Sequence, residues 1–521
     1  MTIANKDLRA ESPTAQSPSP PAIPAPANQS PGSGSSSRNP PSAHPVRYGK
    51  YVDSLGHTSD GTAVAIFNAD GQNTTAIPIL SEQFQAHITQ KIIELEEEPN
   101  LFKTKELTTE MAFAARYKAA EVKCWKRCAP FEKGVEIALY DPADTRIRVL
   151  PGTVELVTHG SPTIFLKPPV AQALPIPSAS PDLTRLKGYF NNLTADQILL
   201  IVAWITYIQC SPKYKGTKYV FLVIQGDQGS GKSWLCRLLQ RLIDPSALEL
   251  QAFPSNSKDL PIIISNCHLV AFDNVRSFSS PVSDLLCTAS TGGNISSRAL
   301  YTNDTLHLLP LHGAFILNGI HGFVVQSDLA QRCLTIRTLP IDGQQRIPEA
   351  ELLKNFERDL PDIFAGLLDL SSKIMAQLPN AIVTHPERMI EFSQWIAAME
   401  LALGLQQGEV QASYSRILNE SQLDTLLDNS LASAVIKFVS EQLDQRWRGT
   451  PAALLKELEE GRSPRELNSQ DWPRNPIQLS KRMKSLKASL DSQGVKVEIT
   501  RGKTRQIIIT NVGDLDTSEI Y

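Results

Sequence analysis

One octapeptide constrains this chain more than any other stretch. Residues 226–233 read Gly-Asp-Gln-Gly-Ser-Gly-Lys-Ser, which has the spacing G-x-x-x-x-G-K-[ST]. The apolar run 219–225 before it predicts a buried strand, and the run 234–243 after it predicts a helix that ends at Asp244-Pro245. A loop between a strand and a helix turns backbone N–H groups and a helix N-terminus toward an anion. The sequence therefore predicts a phosphate-binding loop within an α/β domain.

The residue types of this loop predict ATP and Mg²⁺ as its ligands. Glycines allow the backbone unusual dihedral angles and a close approach to phosphates. Lys232 would bring a positive charge to the β- and γ-phosphates, and Ser233 would offer a hydroxyl to Mg²⁺. The alternative is a glycine-rich loop that matches the pattern by chance, and the flanking strand and helix argue against it. The predicted nucleotide site comprises Gly226, Asp227, Gln228, Gly229, Ser230, Gly231, Lys232, Ser233 and Trp234.

Composition limits the remaining possibilities. A chain of 521 residues with 41% hydrophobic residues is expected to form several domains with real cores. The net charge of −3 excludes a uniformly basic nucleic-acid coat, so any nucleic-acid surface must be local. No apolar run reaches membrane-spanning length, and the first residues lack the apolar core of a signal peptide. Seven scattered cysteines fit a reducing compartment, and we expect a cytoplasmic protein without membrane contact.

Composition and periodicity divide the chain into five segments. Residues 1–45, rich in Pro, Ser and Ala, are expected to be disordered, because they cannot bury enough apolar surface. Residues 46–177 predict a small α+β domain, and residues 178–340 alternate strands and helices as a parallel α/β sheet does. Residues 341–438 predict a helical domain and residues 439–521 a basic C-terminal domain. In the first two folded segments, helices are expected over 81–97, 106–122 and 183–208, and strands over 136–140, 147–150, 153–157 and 163–166.

Polar residues follow two further apolar strands of the predicted sheet. Asp273-Asn274 comes after the run 268–272, and Asn318-Gly319 comes after the run 313–317. The carboxyl ends of parallel strands are where ligands bind in such sheets, so Asp273 is a candidate Mg²⁺ ligand. Asn318 would sit between the strands that carry Lys232 and Asp273, where it is a candidate for orienting the attacking water and sensing the γ-phosphate. Simple turns after each strand are the alternative.

Arg332 lies one short predicted helix beyond Asn318 and just before another strand. An arginine there could reach the nucleotide of a neighbouring subunit as an arginine finger. The alternative is a surface ion pair with Asp328.

Four segments together resemble a known family. GDQGSGKS, LVAFDN, TGGNISSR and FILNGI, in this order, look like motifs A, B, B′ and C of superfamily 3 helicases. These are ring-forming AAA+ ATPases of viruses, phages and plasmids, and the likeness is closest to the helicase half of bacterial phage- or plasmid-type primase–helicases. It covers roughly residues 135–510 and is strongest over 220–340.

The resemblance implies a fold and an activity. The fold would be an AAA+ ATPase core with a parallel sheet. The activity would be that of an ATP-dependent DNA helicase or translocase acting in replication of a mobile element. It also implies a homo-oligomer, expected to be a hexameric ring, with ATP at the subunit borders and single-stranded DNA in a central channel. No acid cluster typical of a primase precedes the predicted core.

The same resemblance assigns roles residue by residue. Lys232, Ser233 and Asp273 match the phosphate and Mg²⁺ residues that act on the nucleotide of their own subunit. Asn318 matches the sensor asparagine, and Arg332 matches the arginine finger that acts on a neighbour's nucleotide. Arg298 falls in motif B′, where the family has a subunit-bridging arginine or the base of a DNA-contacting hairpin. In that hairpin, residues 300–309 here, Tyr301 would stack on a base and His307 would touch a phosphate.

The chain departs from the family at motif B. Many members have two acids there, but Asn274 follows Asp273 in this sequence. Three possibilities remain open: Asp273 serves both needs, Asp284 helps, or hydrolysis is slow.

The C-terminal segment predicts a winged helix that binds duplex DNA. Residues 477–490 predict an amphipathic helix, and residues 495–509 predict a hairpin with a basic tip. From Arg474 to Arg505 nine residues are basic and two are acidic, which suits a helix in the major groove with phosphate contacts beside it. A solvated helix in a protein-contact module is the alternative. The candidate DNA-binding residues are Lys481, Arg482, Lys484, Arg501, Lys503 and Arg505.

Two rival functions share these motifs. One is an ATP-gated initiator that assembles on DNA without unwinding it, and the other is a defence or signalling ATPase whose C-terminal module contacts a protein. A forked-duplex unwinding assay separates the first rival from a helicase, and DNA affinity separates the second.

Overall fold

A computed structural model of the chain describes residues 48–68, 71–95, 101–298, 306–320, 322–324, 326–343, 347–469, 472–500 and 505–512. The predicted disorder of residues 1–45 therefore lies outside the described residues.

The first folded region is a small sheet covered by two helices. Its strands β1 (Ser54–His57), β2 (Ala63–Phe67) and β3 (Thr75–Pro78) are antiparallel, and β8 (Phe165–Leu166) joins β3 in parallel. Helices α1 (Glu82–Glu94) and α2 (Leu101–Lys118) lie near the two predicted helices and pack their apolar residues on this sheet. Strands β1 to β3 were not predicted, because four or five residues give too short a pattern of alternation to identify.

A second antiparallel sheet follows in chain order. Its strands are β4 (Cys128–Phe131), β5 (Gly134–Ala138), β6 (Arg146–Leu150) and β7 (Thr153–Val157). Val135, Ile137 and Ile147 are buried in the same hydrophobic core as the central parallel sheet. The two regions are therefore packed together rather than joined by a flexible linker.

The central sheet contains five parallel strands. They are β9 (Phe221–Gln225), β10 (Gln251–Ala252), β11 (Leu269–Asp273), β14 (Ala314–Asn318) and β15 (Cys333–Arg337), in the order β10-β11-β14-β9-β15. All four pairings are parallel, so the carboxyl ends of the strands meet at one edge. A sheet of this kind, with helices on its faces, requires strands buried on both sides, which is why β9 and β14 are continuous apolar runs. The α/β fold with a parallel sheet is as predicted. The hairpin β12 (Gly293–Arg298) and β13 (Leu306–Leu311) forms a separate two-stranded sheet.

Helices surround the central sheet. They are α3 (Ala195–Gln209), α4 (Lys232–Ile243), α5 (Leu260–Asn266), α6 (Ser280–Thr291), α7 (Ser327–Ala330), α8 (Glu349–Gln377), α9 (Ile390–Leu403) and α10 (Glu409–Leu427). Short 3₁₀ helices cover Leu183–Tyr189, Ser257–Asp259 and Leu378–Asn380.

The single helix predicted over 183–208 is wrong. The 3₁₀ helix ends at Tyr189, and α3 begins anew after Thr194. The Thr194 hydroxyl accepts a hydrogen bond from the N–H of Gln197, and the Gln197 side chain accepts one from the N–H of Thr194. This reciprocal cap fixes a new helix start.

The C-terminal region has a hydrophobic core of its own. Its elements are α11 (Ser430–Ser440), β16 (Arg446–Gly449), α12 (Pro451–Glu459), α13 (Pro464–Leu467), α14 (Pro476–Ser492), β17 (Val495–Thr500) and β18 (Gln506–Asn511). The three strands are antiparallel in the order β16-β18-β17. Leu479, Met483 and Leu490 of α14 pack against the hairpin residues Val497 and Ile509. The predicted helix and hairpin are present, whereas β16 and α12 were not predicted.

Across the described residues, no helix combines the length and the apolar character that a membrane crossing needs.

Candidate active site

The glycine-rich loop joins β9 to α4, as predicted. Gly226, Gly229 and Gly231 have φ angles of 150°, 80° and 79°, which residues with a Cβ rarely adopt. A Cβ on Gly226 would also lie only 2.2 Å from the hydroxyl oxygen of Thr338. A glycine is therefore required at position 226 for two reasons, the backbone angle and the close approach of β15.

Two residues outside the loop hold it in place. The side-chain amide of Asn192 donates to the carbonyl of Ser230 at 2.6 Å. The Ser230 and Thr338 hydroxyls lie 2.7 Å apart, and Thr338 also donates to the carbonyl of Gln225 at 3.1 Å. The loop is thus fixed from the segment before α3 and from the end of β15. Spacing could not have revealed Asn192 or Thr338, because neither belongs to a motif.

Lys232 begins α4 with its side chain turned back over the loop. Its Nζ donates to the carbonyls of Gly226 at 2.8 Å and Asp227 at 2.7 Å. Burial lowers the pKa of Lys232, and the carboxylates of Asp227 and Asp273 oppose this shift. The ammonium group therefore lies where loop carbonyls converge, and a phosphate in the loop would be within its reach.

Three polar side chains meet at the carboxyl edge of the sheet. The Ser233 hydroxyl donates to Asp273 Oδ2 at 3.1 Å. The amide of Asn318 donates to Asp273 Oδ1 at 2.5 Å and to the Ser233 hydroxyl at 3.3 Å. The strands β11 and β14 are neighbours, and α4 starts beside them, so three distant segments of sequence form one cluster.

Asn318 leaves one polar atom unused. The residue is 2% exposed, and its Oδ1 has no hydrogen-bond partner within the described part of the chain. Buried polar atoms without a partner are rare and point to a missing water, ion or ligand. A hydroxyl, a carboxylate and an acceptor oxygen side by side are oxygen groups of the kind that Mg²⁺ and its waters use. The chemistry of the cluster therefore fits the predicted metal, which Ser233 and Asp273 would hold.

Asn274 occupies the position where many members of the resembled family have a second acid. Asn274 is exposed, has a φ of 53°, and its N–H donates to Asp273 Oδ1 at 2.8 Å. Asp284 is exposed on α6. A dual role of Asp273, help from Asp284 and slow hydrolysis therefore all stay predictions.

A pocket beside the loop involves residues that the sequence did not single out. Trp234, the last residue of the predicted nucleotide site, lines it with Tyr189, Asn191, Ile341 and Leu352. Gly229 and Gly231 form its wall toward the loop, while Asp227 and Gln228 are exposed on the outside. Aromatic and aliphatic side chains next to a phosphate-binding loop suit the flat base of a nucleotide.

Arg332 does not lie near this cluster. It precedes β15, whereas the loop follows β9, and the two strands run parallel as neighbours. Arg332 is therefore at the opposite edge of the sheet from Lys232. Its Nε lies 3.4 Å from Asp328, which is the ion pair considered as the alternative, and Arg388 pairs with the same carboxylate at 2.5 Å. Action on a neighbouring subunit stays a prediction.

The predicted DNA-binding residues fall into two groups. Arg298 ends β12 and His307 lies in β13, but the directions of their side chains, and Tyr301 altogether, lie outside the described residues. On α14, Lys481 and Lys484 are exposed and Arg482 is half-buried. Arg505 is exposed at the start of the strand after the wing, and Arg501 and Lys503 lie outside the described residues.

Comparisons with known proteins point to replication. Residues 183–424 match the family model described as actinomycete integrative conjugative element replication protein, and residues 431–518 match the model of the AICE RepA C-terminal domain. The gap between the two matches, residues 425–430, contains the junction of α10 and α11. No curated protein matches the chain.

Solved structures give only a distant likeness. An A-form apo structure of the NrS-1 C-terminal region is 14% identical, and the match covers 73% of this chain and 97% of that one with a TM-score of 0.32. A second A-form apo structure of the same region is 13% identical, with coverages of 88% and 96% and a TM-score of 0.32. Scores of this size support no statement about the fold.

Proposed function

We propose that this chain, as a relative of the actinomycete integrative conjugative element replication proteins, is an ATP-dependent DNA helicase or translocase that replicates such an element. The family match supports a role in replication, and the motor activity is the finer part of the proposal. One observation carries that part: Ser233, Asp273 and Asn318 meet at the carboxyl edge of a parallel sheet, beside the loop that carries Lys232, and Asn318 Oδ1 has no hydrogen-bond partner among the described residues.

The cluster suggests how each residue would act on ATP. Lys232 would transfer its hydrogen bonds from the loop carbonyls to phosphate oxygens, while the loop N–H groups hold the β-phosphate. Ser233 and Asp273 would hold Mg²⁺, which when bound draws negative charge from the phosphate oxygens. Asn318 Oδ1 would accept a hydrogen bond from the attacking water and place it against the γ-phosphorus. The pocket at Trp234 and Ile341 would receive the base.

The C-terminal region is proposed to be a winged helix that binds duplex DNA. Its order, α11-β16-α12-α13-α14-β17-β18, has the helices before a terminal hairpin that such a domain needs. Helix α14 packs on the core with Leu479 and Met483 and exposes Lys481, Lys484 and Lys487. An exposed lysine face beside a hairpin is suited to phosphate contacts along a groove.

The proposed activity is tested by ATP turnover measured with and without single-stranded DNA, together with the mass of the assembled particle. We expect an oligomer whose turnover rises with DNA and which separates a forked duplex. ATP-dependent assembly on DNA without strand separation would support the initiator instead. A monomer that neither hydrolyses ATP nor binds DNA would contradict the proposal.

Neutralising the exposed lysines of α14 should weaken duplex binding strongly. We expect the triple variant Lys481→Gln, Lys484→Gln and Lys487→Gln to lose on the order of 100-fold in affinity at ~0.15 M salt, because each lost phosphate contact removes a slope of about 0.9 in log K against log salt. Fluorescence anisotropy of a labelled duplex over a salt series measures both quantities.

A matched variant controls for net charge. Lys354, Lys373 and Lys456 are exposed lysines on other helices, so their change to glutamine removes the same charge elsewhere. Equal losses in the two triple variants would mean that α14 has no special contact with DNA. Unchanged affinity in the α14 variant would favour the protein-contact module.

A further inference from the structure

Helix α10 is part of both large cores of the molecule. Val410, Tyr414 and Leu418 are buried in the core of the parallel sheet, whereas Leu426, in the last turn, is buried in the core of the C-terminal region. Only two residues separate α10 from α11, and the second of them, Asn429, caps α11 with its side chain. The two-residue junction is too short to absorb a displacement of the end of α10. Such a displacement would therefore move the proposed DNA-binding domain as well.

The last turns of α10 run along β15 toward the end of the sheet that carries the candidate active site. The Ser421 hydroxyl lies 3.2 Å from that of Thr335 in β15. Thr425 donates to the carbonyl of Val324, in the segment that follows Asn318, at 3.0 Å. In the same segment, a Cβ on Gly322 would lie 2.3 Å from a carboxylate oxygen of Asp428. The end of α10 is thus packed directly against the chain that leaves the sensing asparagine.

Between these contacts, Asp424 of α10 forms an ion pair with Arg337. Arg337 is the last residue of β15 and is in register with Gln225, the residue before the glycine-rich loop. The next residue, Thr338, is bonded to Gln225 through its N–H at 2.8 Å and to Ser230 through its hydroxyl. The backbone that carries Arg337 is therefore fixed beside the loop, and its side chain lines a cleft together with Gly226 and Asp227.

The partner of Arg337 is easily replaced. The two side chains are 57% and 41% exposed, and an ion pair in contact with water contributes little to stability. A guanidinium group forms paired, charge-assisted hydrogen bonds with phosphate oxygens as well as with a carboxylate. A triphosphate in the loop would bring several negative oxygens to the edge where Arg337 lies. Competition between the triphosphate and Asp424 would then favour the triphosphate.

We propose that Arg337 is a triphosphate-binding residue that exchanges its partner Asp424 for the bound nucleotide. This exchange releases the end of α10 and thereby changes the affinity of the C-terminal domain for DNA. The inference rests on the proposed function, because it needs the loop to bind a nucleotide. It adds a binding residue that lies outside the sequence motifs. It also assigns the contacts at the end of α10 a role in coupling nucleotide binding to DNA binding.

Nucleotide affinities test the first half. With Mg²⁺ present, we expect Arg337→Ala to lower the affinity for a non-hydrolysable ATP analogue about 10-fold and to change the affinity for ADP much less, because a charge-assisted contact to the third phosphate is lost. Asp424→Asn should raise the affinity for the analogue, since Arg337 is no longer held. The matched control is Arg416→Ala on α10, the helix that carries Asp424. Arg416 is 57% exposed, as Arg337 is, and pairs with Asp196. It should leave both affinities unchanged.

DNA binding tests the second half. In the wild type, the analogue should change the affinity for duplex DNA; in Arg337→Ala that change should be absent. Asp424→Asn should show the nucleotide-bound affinity without nucleotide. If Arg337→Ala leaves the ratio of ATP-analogue to ADP affinity unaltered while Lys232→Ala loses nucleotide binding, the role of Arg337 is overturned. The proposed nucleotide site at the loop then still stands. Unaltered nucleotide binding in Lys232→Ala overturns both.

Discussion

Lys232→Ala is expected to lower ATP turnover on the order of 10³-fold, to the background of the assay. The ammonium group is fixed at the convergence of two loop carbonyls, 2.8 and 2.7 Å away, and is the cation of the loop itself. Removal of one preorganised hydrogen-bond donor from a transition state costs roughly 10²- to 10³-fold, and here a positive charge and ground-state phosphate binding are lost as well. Phosphate release under saturating ATP and Mg²⁺ measures the effect.

Lys218→Ala is the matched control for this variant. Lys218 lies before the same strand, β9, but at its other end, and pairs with Glu391 at 2.7 Å. We expect its turnover to stay close to that of the wild type, and circular dichroism should show both variants folded. Turnover like that of the wild type in Lys232→Ala would remove the loop from the proposed active site.

The sequence predicted the parts of the site that lie at strand ends. Asp273 and Asn318 each follow an apolar run, and parallel strands end at a common edge, so their meeting could be expected. The strand order then puts β14 between β11 and β9, which is the expected place of Asn318 between the strands that carry Asp273 and Lys232. The hydrogen bond between the two side chains follows from that order.

Other parts of the site left no signal in the sequence. Asn192 lies in the break between a 3₁₀ helix and α3, and Thr338 follows β15, so only the folded chain brings both to the loop. In the sequence, nothing distinguishes Arg337 from other polar residues at strand ends. Only the folded chain shows that Asp424 of α10 lies beside it. Such contacts join residues that are tens of positions apart, and spacing rules describe only residues within one element or motif.

The secondary structure, like the site, could be predicted from the sequence only in part. The long apolar strands and the helix after the loop could be predicted because burial on both faces leaves a continuous pattern. The helix over 183–208 was overextended, since helical periodicity continues across the new start at Thr194. Strand β16 has four residues and no alternation long enough to identify, although it completes the C-terminal sheet.

Arg332→Ala should keep nucleotide binding and lose turnover by about 10³-fold, the effect expected for an arginine that stabilises transition-state charge. The reason is its position: Arg332 lies at the amino edge of the sheet and cannot reach the loop of its own chain, which follows the carboxyl end of β9. Its bond to Asp328 is long, 3.4 Å, and Arg388 shares that carboxylate, so the ion pair alone does not require Arg332. Equilibrium binding of a fluorescent ATP analogue and steady-state hydrolysis separate the two effects.

Mixing two inactive variants decides whether Arg332 acts between subunits. In a mixed oligomer, an Arg332→Ala subunit supplies an intact Lys232, and a Lys232→Ala neighbour supplies an intact Arg332. Complete sites form at those borders, so turnover should reappear on mixing and should depend on the ratio of the two variants. Arg388→Ala, which removes the other arginine from Asp328, serves as the control for local charge and should retain turnover if Arg332 alone is the finger. No recovery at any ratio, with mixed oligomers verified by mass, would assign Arg332 to the structural ion pair with Asp328 and leave the site without a contribution from its neighbour.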